Sequence, residues 1–392
     1  MPPSSYNVWL SADACRVQDL KQVLAHTVNV EQVPWATELQ QQVPLYDAPA
    51  IRERLQDDDG RLYRELLSEW SWVWESGPGI LVIKSAFTDH PMLDSVTAVF
   101  QAIIDAERDQ GRGDHFGKPG ANDRIWNALE KLCMTDPALF ARYYANDMLA
   151  AVATAWLGPG YQITSQVNVV NPGGAAQTPH RDYHLGFMSG EQGAAFPEPV
   201  HRLSPLMTLQ GAIAHVDMPL ESGPTLFLPH SQKYHAGYMV AGNPEFRAYF
   251  AENHVQLPLE KGDAVFFNPA LLHAAGENSS TDIRRMANLL QISSMFGRAM
   301  EAVDRLRMSL QLYPCLLEMQ ATNELSAAEI KRAIAACAEG YAFPTNLDRD
   351  PPLYGLAPPS QADILHKALA EGWSLEQLQA GLENNRWRKQ TH

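Results

Sequence analysis

The feature that most constrains this chain is the order in which its patterns run. Six short apolar segments follow one another at 161–170, 206–216, 225–228, 255–259, 264–267 and 287–293, with turn residues between them. A row of short strands punctuated by turns predicts a sandwich or barrel. On either side of the row the period is helical. Ile51, Leu55, Leu62, Leu66, Trp70, Val73 and Trp74 fall three to four apart, which is the spacing of one helix face. The interruption at 56–60 splits that helix, and Gly77-Pro78-Gly79 stops it. Residues 1 to about 76 therefore read mostly as helix. A β-type run at 80–83, a helix over 92–107, a polar Gly-rich loop at 111–124 and a helix over 137–157 lead into the strands. After Phe296 the helical period returns. Two capping boxes mark it, Ser326 with Glu329 and Ser374 with Gln377, and a Pro-rich stretch lies between them at 344–359.

With 392 residues, the length allows two or three domains or one enlarged one. The formal charge of −15, from 30 basic and 45 acidic side chains, argues against a nucleic acid or an anionic membrane as partner. Of the four cysteines, none forms a C-x-x-C pair, so neither a cysteine zinc site nor a disulfide framework is expected. The N-terminus has no basic start followed by an apolar stretch. The longest apolar run, 148–157, is about half the length of a bilayer span. A cytoplasmic protein with no membrane partner is the expectation.

Chemistry concentrates at Pro179-His180-Arg181-Asp182-Tyr183-His184. In an extended strand, residues two apart share a face, so His180 and Asp182 can grip one ion. The best third ligand is His273, at the end of the turn-and-strand segment 261–273. Two histidines and one carboxylate form the facial triad of non-haem Fe(II) oxygenases, which leaves coordination positions open. Eleven residues on, Arg284 could clamp a distal carboxylate through its bidentate fork, or pair with Asp282 at the surface. His184 shares the strand face of His180 and Asp182. It is then a fourth ligand, or more simply a residue beside the site. His215 reads as a core histidine, and Trp70, Trp72 and Trp74 read as packing.

Together these pieces resemble the phytanoyl-CoA dioxygenase-like family of Fe(II)/2-oxoglutarate oxygenases. The matching motifs are His180-Arg-Asp182-Tyr-His, Ser222-Gly-Pro-Thr225-Leu-Phe-Leu-Pro229-His-Ser231-Gln-Lys233, Lys261-Gly-Asp263-Ala-Val-Phe-Phe, and His273-x-x-Gly276-x-Asn278 followed by Arg284. They cover roughly 75–296. The resemblance implies His180, Asp182 and His273 as iron ligands and catalytic centre. It implies Arg284 as partner of the distal carboxylate of 2-oxoglutarate, with Thr225 and Asn168 lining that pocket. Fe(II), 2-oxoglutarate and O2 are the implied cofactors. The family's Pro-Gly-Ser-His turn is replaced here by Pro229-His230-Ser231-Gln232. Related halogenases carry a small residue where this chain has Asp182, so oxygenation is the implied chemistry.

The expected fold is mainly β with flanking helices (α+β). A double-stranded β-helix, or jelly roll, forms the core. The expected organisation is a single enlarged domain, 1–392. It has an N-terminal helical extension at 1–75, a catalytic core at 76–296, and a C-terminal helical extension at 297–392. The expected activity is oxidation, chiefly hydroxylation, of a small molecule, with succinate and CO2 as coproducts; desaturation and cyclisation share its first steps. The rivals are a non-catalytic jelly-roll binding protein and a zinc hydrolase using the same His/Asp/His set. The segments expected to choose the substrate are 111–124 and 184–203. Arg124, Arg181 and Arg202 lie in or near them, and would suit a carboxylic acid, an amino acid or an acyl derivative. The sequence leaves the oligomeric state open.

Overall fold

The computed structural model describes residues 8–109, 121–240, 242–353 and 355–391. Among the described residues there are eleven strands: β1 (Glu38–Gln40), β2 (Val43–Asp47), β3 (Ile80–Lys84), β4 (Asn122–Ile125), β5 (Gln162–Val170), β6 (Thr208–Ala214), β7 (Leu226–Phe227), β8 (Val255–Gln256), β9 (Ala264–Phe267), β10 (His273–Ala274) and β11 (Arg285–Ser293). They form an eight-stranded sheet in the order β1-β2-β3-β9-β6-β11-β5-β4 and a three-stranded sheet in the order β10-β7-β8. Sequence neighbours are often not sheet neighbours, as expected of a jelly roll wound from crossovers between two sheets. The fold is thus α+β around a jelly-roll core.

The chain divides into two compact units. The first comprises 1–88, 113–124 and 167–290; the second comprises 89–112, 125–166 and 291–392. In the first, both sheets contribute to one apolar core. Val43, Ile80, Val82, Ala214, Val265 and Phe267 come from the large sheet, and Phe227 comes from the small one. Antiparallel pairing sets the register of the central strands: Gln210 faces Phe267 and Ala212 faces Val265, while Ile80 also faces Phe267 from β3. The helix Arg61–Glu75 buries Trp70 and Trp74 completely. The Trp74 indole N–H donates to the carbonyl of Phe266 at 3.2 Å, which fixes the helix to β9.

The second unit is helical. Its helices His90–Asp109, Ala128–Thr135, Pro137–Tyr144, Asp147–Leu157, Arg305–Ala321, Ala327–Cys337, Gln361–Glu371 and Leu375–Lys389 carry the capping boxes that the sequence announced at Ser326 and Ser374. Each side chain satisfies a backbone N–H that the first helical turn leaves without a partner. No helix among the described residues is long and apolar enough to cross a membrane.

Two readings of the sequence change. Among the described residues of 1–76 helix predominates, but β1 and β2 also lie there, and β2 pairs in parallel with β3. The segment Val43-Pro-Leu-Tyr-Asp47 is buried at four consecutive positions. A strand covered on both faces shows no alternation to read. The segment 184–203, expected as a pocket loop, holds a 3-10 turn at His184–Phe187, a helix at Gly190–Ala194 and most of a helix at Glu198–Leu206. Of the Gly-rich loop at 111–124, residues 111–120 lie outside the described residues, and 122–125 form β4.

Candidate metal and cosubstrate site

Backbone pairing brings the sequence-distant histidines together. His180 and His273 form an antiparallel bridge, with each N–H donating to the other's carbonyl at 2.9 and 3.1 Å. The Asp182 N–H donates to the carbonyl of Pro269 at 3.2 Å. The turn from β9 to β10 is itself fixed, because the Asn268 side chain donates to the carbonyl of Trp74 and accepts from Ala270 N–H. His180, Asp182 and His273 thereby place one potential ligand atom each within 4.8 Å of one another, the single such trio among the described residues.

The side chains are oriented as well as assembled. His180 Nδ1 lies 2.8 Å from the carbonyl of Thr178, and His273 Nδ1 lies 2.8 Å from that of Leu271. A carbonyl can only accept, so each Nδ1 carries the proton and each Nε2 keeps its lone pair for a metal. These Nε2 atoms face the carboxylate, His180 at 3.6 Å from Oδ1 and His273 at 3.4 Å from Oδ2. Burial acts to raise the Asp182 pKa, but its contacts with His273 and His180 and the Gln210 amide outweigh it. The group is held at about 2. Burial and the neighbouring His273 push the His180 pKa down, against the pull of Asp182. The resulting set is two imidazoles with their Nε2 atoms turned inward and one carboxylate, which fits a non-haem iron.

Beside the cluster lies a cavity. Phe227 and Asn168 line it, with Thr225, Arg285, Ala287 and Leu289. The Phe227 ring also stacks on His273, with centroids 6.5 Å apart. Phe267 covers another side of His273 at 4.8 Å. Arg285 is buried, and its Nη1 has no hydrogen-bond partner among the described residues; nor does Asn168 Oδ1. Burial lowers the Arg285 pKa to about 10, so the guanidinium still carries its charge at neutral pH. A buried cation with an unpaired donor calls for an anionic ligand.

The cavity corrects one expectation. Arg284 does not line it. Its side chain is about half exposed and pairs with Asp123 at 3.3 Å, while its Nε donates to Asn171 at 3.1 Å. Strand β11 starts at residue 285, and 285, 287 and 289 alternate into the cavity. A shift of one residue on a strand moves the side chain to the opposite face. The sequence held the signal, because Arg285, Ala287 and Leu289 have period two. Thr225 and Asn168 do line the cavity.

His184 is not part of the trio. Tyr183 and His184 both have positive φ, 64° and 44°, which ends the strand alternation directly after Asp182. The imidazole is exposed and its Nδ1 lies 3.3 Å from Ser204 Oγ. Arg181, opposite the ligands on its strand, is buried and donates to the carbonyls of Ser231 and Tyr234 at 2.5 and 2.9 Å. It ties the ligand strand to the 231–238 segment and does not face outward. Arg202 is exposed and lies 3.4 Å from Glu198, and Arg124 is buried in β4.

A known family's sequence pattern, described as phytanoyl-CoA dioxygenase (PhyH), matches residues 77–286. The chain belongs to the phytanoyl-CoA dioxygenase family. It is an enzyme of the Fe(II)/2-oxoglutarate-dependent oxygenase superfamily, and its cofactors are Fe(II) and 2-oxoglutarate, with O2 as co-reactant. The match spans the whole stretch from the β3 entry to Arg285 and Met286. No curated protein sequence matches the chain. Among solved structures, it resembles the non-haem α-ketoglutarate-dependent epimerase SnoN of nogalamycin biosynthesis at 18% identity and TM-score 0.40, covering 59% of this chain and 84% of that one. A structure of SnoN in complex with Fe3+, α-ketoglutarate and nogalamycin RO scores 0.41 at 17% identity, covering 59% and 85%. The carbocyclase SnoK of the same biosynthesis scores 0.42 at 18% identity, covering 59% and 86%.

Proposed function

We propose that this family member hydroxylates a small-molecule substrate at a centre held by His180, Asp182 and His273. The observation that carries the reading is the adjacency of two complementary sites. One offers three convergent ligand atoms. The other is a cavity with a buried, incompletely paired arginine. In this reading His180 Nε2, His273 Nε2 and an oxygen of Asp182 hold the iron. Arg285, rather than Arg284, binds the distal carboxylate of 2-oxoglutarate, and Thr225 and Asn168 contribute hydrogen bonds beside it. Bound iron, 2-oxoglutarate and O2 together supply the oxidising power, with succinate and CO2 as coproducts.

The chain's own residues bind and orient. The carbonyls of Thr178 and Leu271 hold both imidazoles in the metal-binding tautomer. Phe227, Phe267 and Leu289 keep the space beside His273 dry. A dry surround strengthens the Arg285 charge interaction. The carboxylate of Asp182 would fill the place that a halide needs in related halogenases, which favours oxygenation or oxidation over halogenation. Catalytic roles are therefore assigned to His180, Asp182 and His273, within one catalytic core spanning about 76–296. The test is succinate release on adding Fe(II), ascorbate and 2-oxoglutarate, together with an anaerobic Fe(II) titration. Binding of iron with 2-oxoglutarate turnover is expected; failure to bind either one would reject the reading.

A further inference from the structure

The side chain that touches Asp182 from outside the trio is Gln210, on β6. Its Nε2 donates to Asp182 Oδ2. The direction of that bond is forced, because a carboxylate has no proton to offer and the amide oxygen would face another acceptor. Gln210 is buried on a central strand and opposite Phe267 in the β6–β9 register. Its strand neighbour Gly211 lies so close to Phe266 that a Cβ there would sit 2.4 Å from the ring. The Gln210 backbone thus has little room to shift. Its cross-strand partner Phe267 packs on His273. One cross-strand pair therefore contacts two of the three site residues: the amide holds the carboxylate and the ring backs the imidazole.

The two carboxylate oxygens of Asp182 are consequently unlike. Oδ2 receives the Gln210 N–H and lies nearer His273 Nε2. Oδ1 faces His180 and receives no donor from Gln210. A carboxylate oxygen already engaged by an amide N–H is the poorer metal ligand, so the free one is presented. We propose that Gln210 is a positioning residue that fixes which oxygen of Asp182 meets the metal, making the carboxylate a one-oxygen ligand through Oδ1. This rests on the iron-site reading above. A second observation points the same way. Gln210 Oε1 is buried and has no hydrogen-bond partner among the described residues. Leaving such an acceptor unpaired costs about 1–3 kcal/mol, and the site keeps it nonetheless. The arrangement fits an amide retained for the contact its nitrogen makes.

The experiment is an anaerobic Co(II) titration of the full chain, followed by visible absorption, for wild type and Gln210→Met. Methionine keeps length and apolar bulk and removes the N–H. Removing an outer partner of a metal ligand weakens binding by about 10–100-fold, and that loss is expected here. The Co(II) spectrum should also change, because a carboxylate free to bind through both oxygens alters the coordination number. The metal-free melting temperature is measured alongside. Wild-type affinity and spectrum in Gln210→Met, whatever its melting temperature, would overturn the proposal and leave Gln210 a packing residue. If Gln210→Met does not fold, Gln210→Asn, one methylene shorter and still an amide, takes its place with the same expected loss and the same overturning result. Wild type that takes up no Co(II) rejects the metal reading itself, which separates that failure from this one.

Discussion

The trio and the cavity beside it are built on opposite principles. In the trio the protein has supplied the orienting contacts: both Nδ1 atoms sit on carbonyls and Asp182 Oδ2 receives an amide. What remains free points inward at one place. In the cavity, Arg285 Nη1 and Asn168 Oδ1 are buried without partners among the described residues. The first region is complete apart from a cation. The second keeps a buried guanidinium nitrogen without a partner among the described residues. The difference teaches that the protein's own contacts fix the trio, whereas the cavity keeps a buried charge that those contacts do not fully pair.

That contrast can be broken by mutation. The largest effect is expected from Asp182→Ala, which removes the single anionic ligand. Metal affinity should fall by more than the about 10–100-fold that an outer partner costs, and 2-oxoglutarate turnover should vanish. Metal titration and succinate release check both. Full turnover at ordinary iron levels would show that Asp182 is no ligand.

Next comes Arg285→Met. Losing one partner of a buried charge pair costs about 2–5 kcal/mol, which is roughly 30-fold or more in 2-oxoglutarate affinity. The same substitution should leave the ligand-free protein as stable as wild type or more so, because a buried unpaired charge is replaced by an apolar side chain. A thermal melt reads this, and a drop of many degrees would mean that the guanidinium is structural. Thr225→Val removes one neutral hydrogen bond, worth about 0.5–1.5 kcal/mol. It should raise the 2-oxoglutarate KM by a few-fold to about tenfold and leave metal affinity alone.

The smallest effect concerns pH. In the folded chain the pKa of His180 lies below its ordinary 6.5, chiefly through burial. The unfolded chain therefore binds a proton first as pH falls through that range. Stability of the metal-free protein should rise with pH across the window between the lowered folded value and 6.5. Melting curves across that window test it, and His180→Gln should flatten the slope slightly.

Much of this was legible in the sequence, and the exceptions have physical causes. His180 and Asp182 could be paired because a strand has period two. His273 could be added because the turn after a β-type run ends there. His184 was misplaced on the same rule: positive φ at Tyr183 breaks the period one residue after Asp182, and no glycine marks the spot. Arg284 and Arg285 are adjacent, so strand onset alone decides which faces inward. Strand β2 shows no readable pattern because a strand buried on both faces has no polar alternation, and β1, three residues long, is too short to show one. Gln210 carries no spacing signal at all; only the packing of β6 against the trio shows what it holds.

The central claim is that the trio and the Arg285 cavity form one site. An anaerobic titration of 2-oxoglutarate into Fe(II)-loaded protein tests it most directly, followed by the visible charge-transfer band that chelation of iron produces. Wild type and Arg284→Ala should develop the band at similar 2-oxoglutarate concentrations, while Arg285→Ala should need roughly 30-fold more. A band lost in Arg284→Ala and kept in Arg285→Ala would contradict the account.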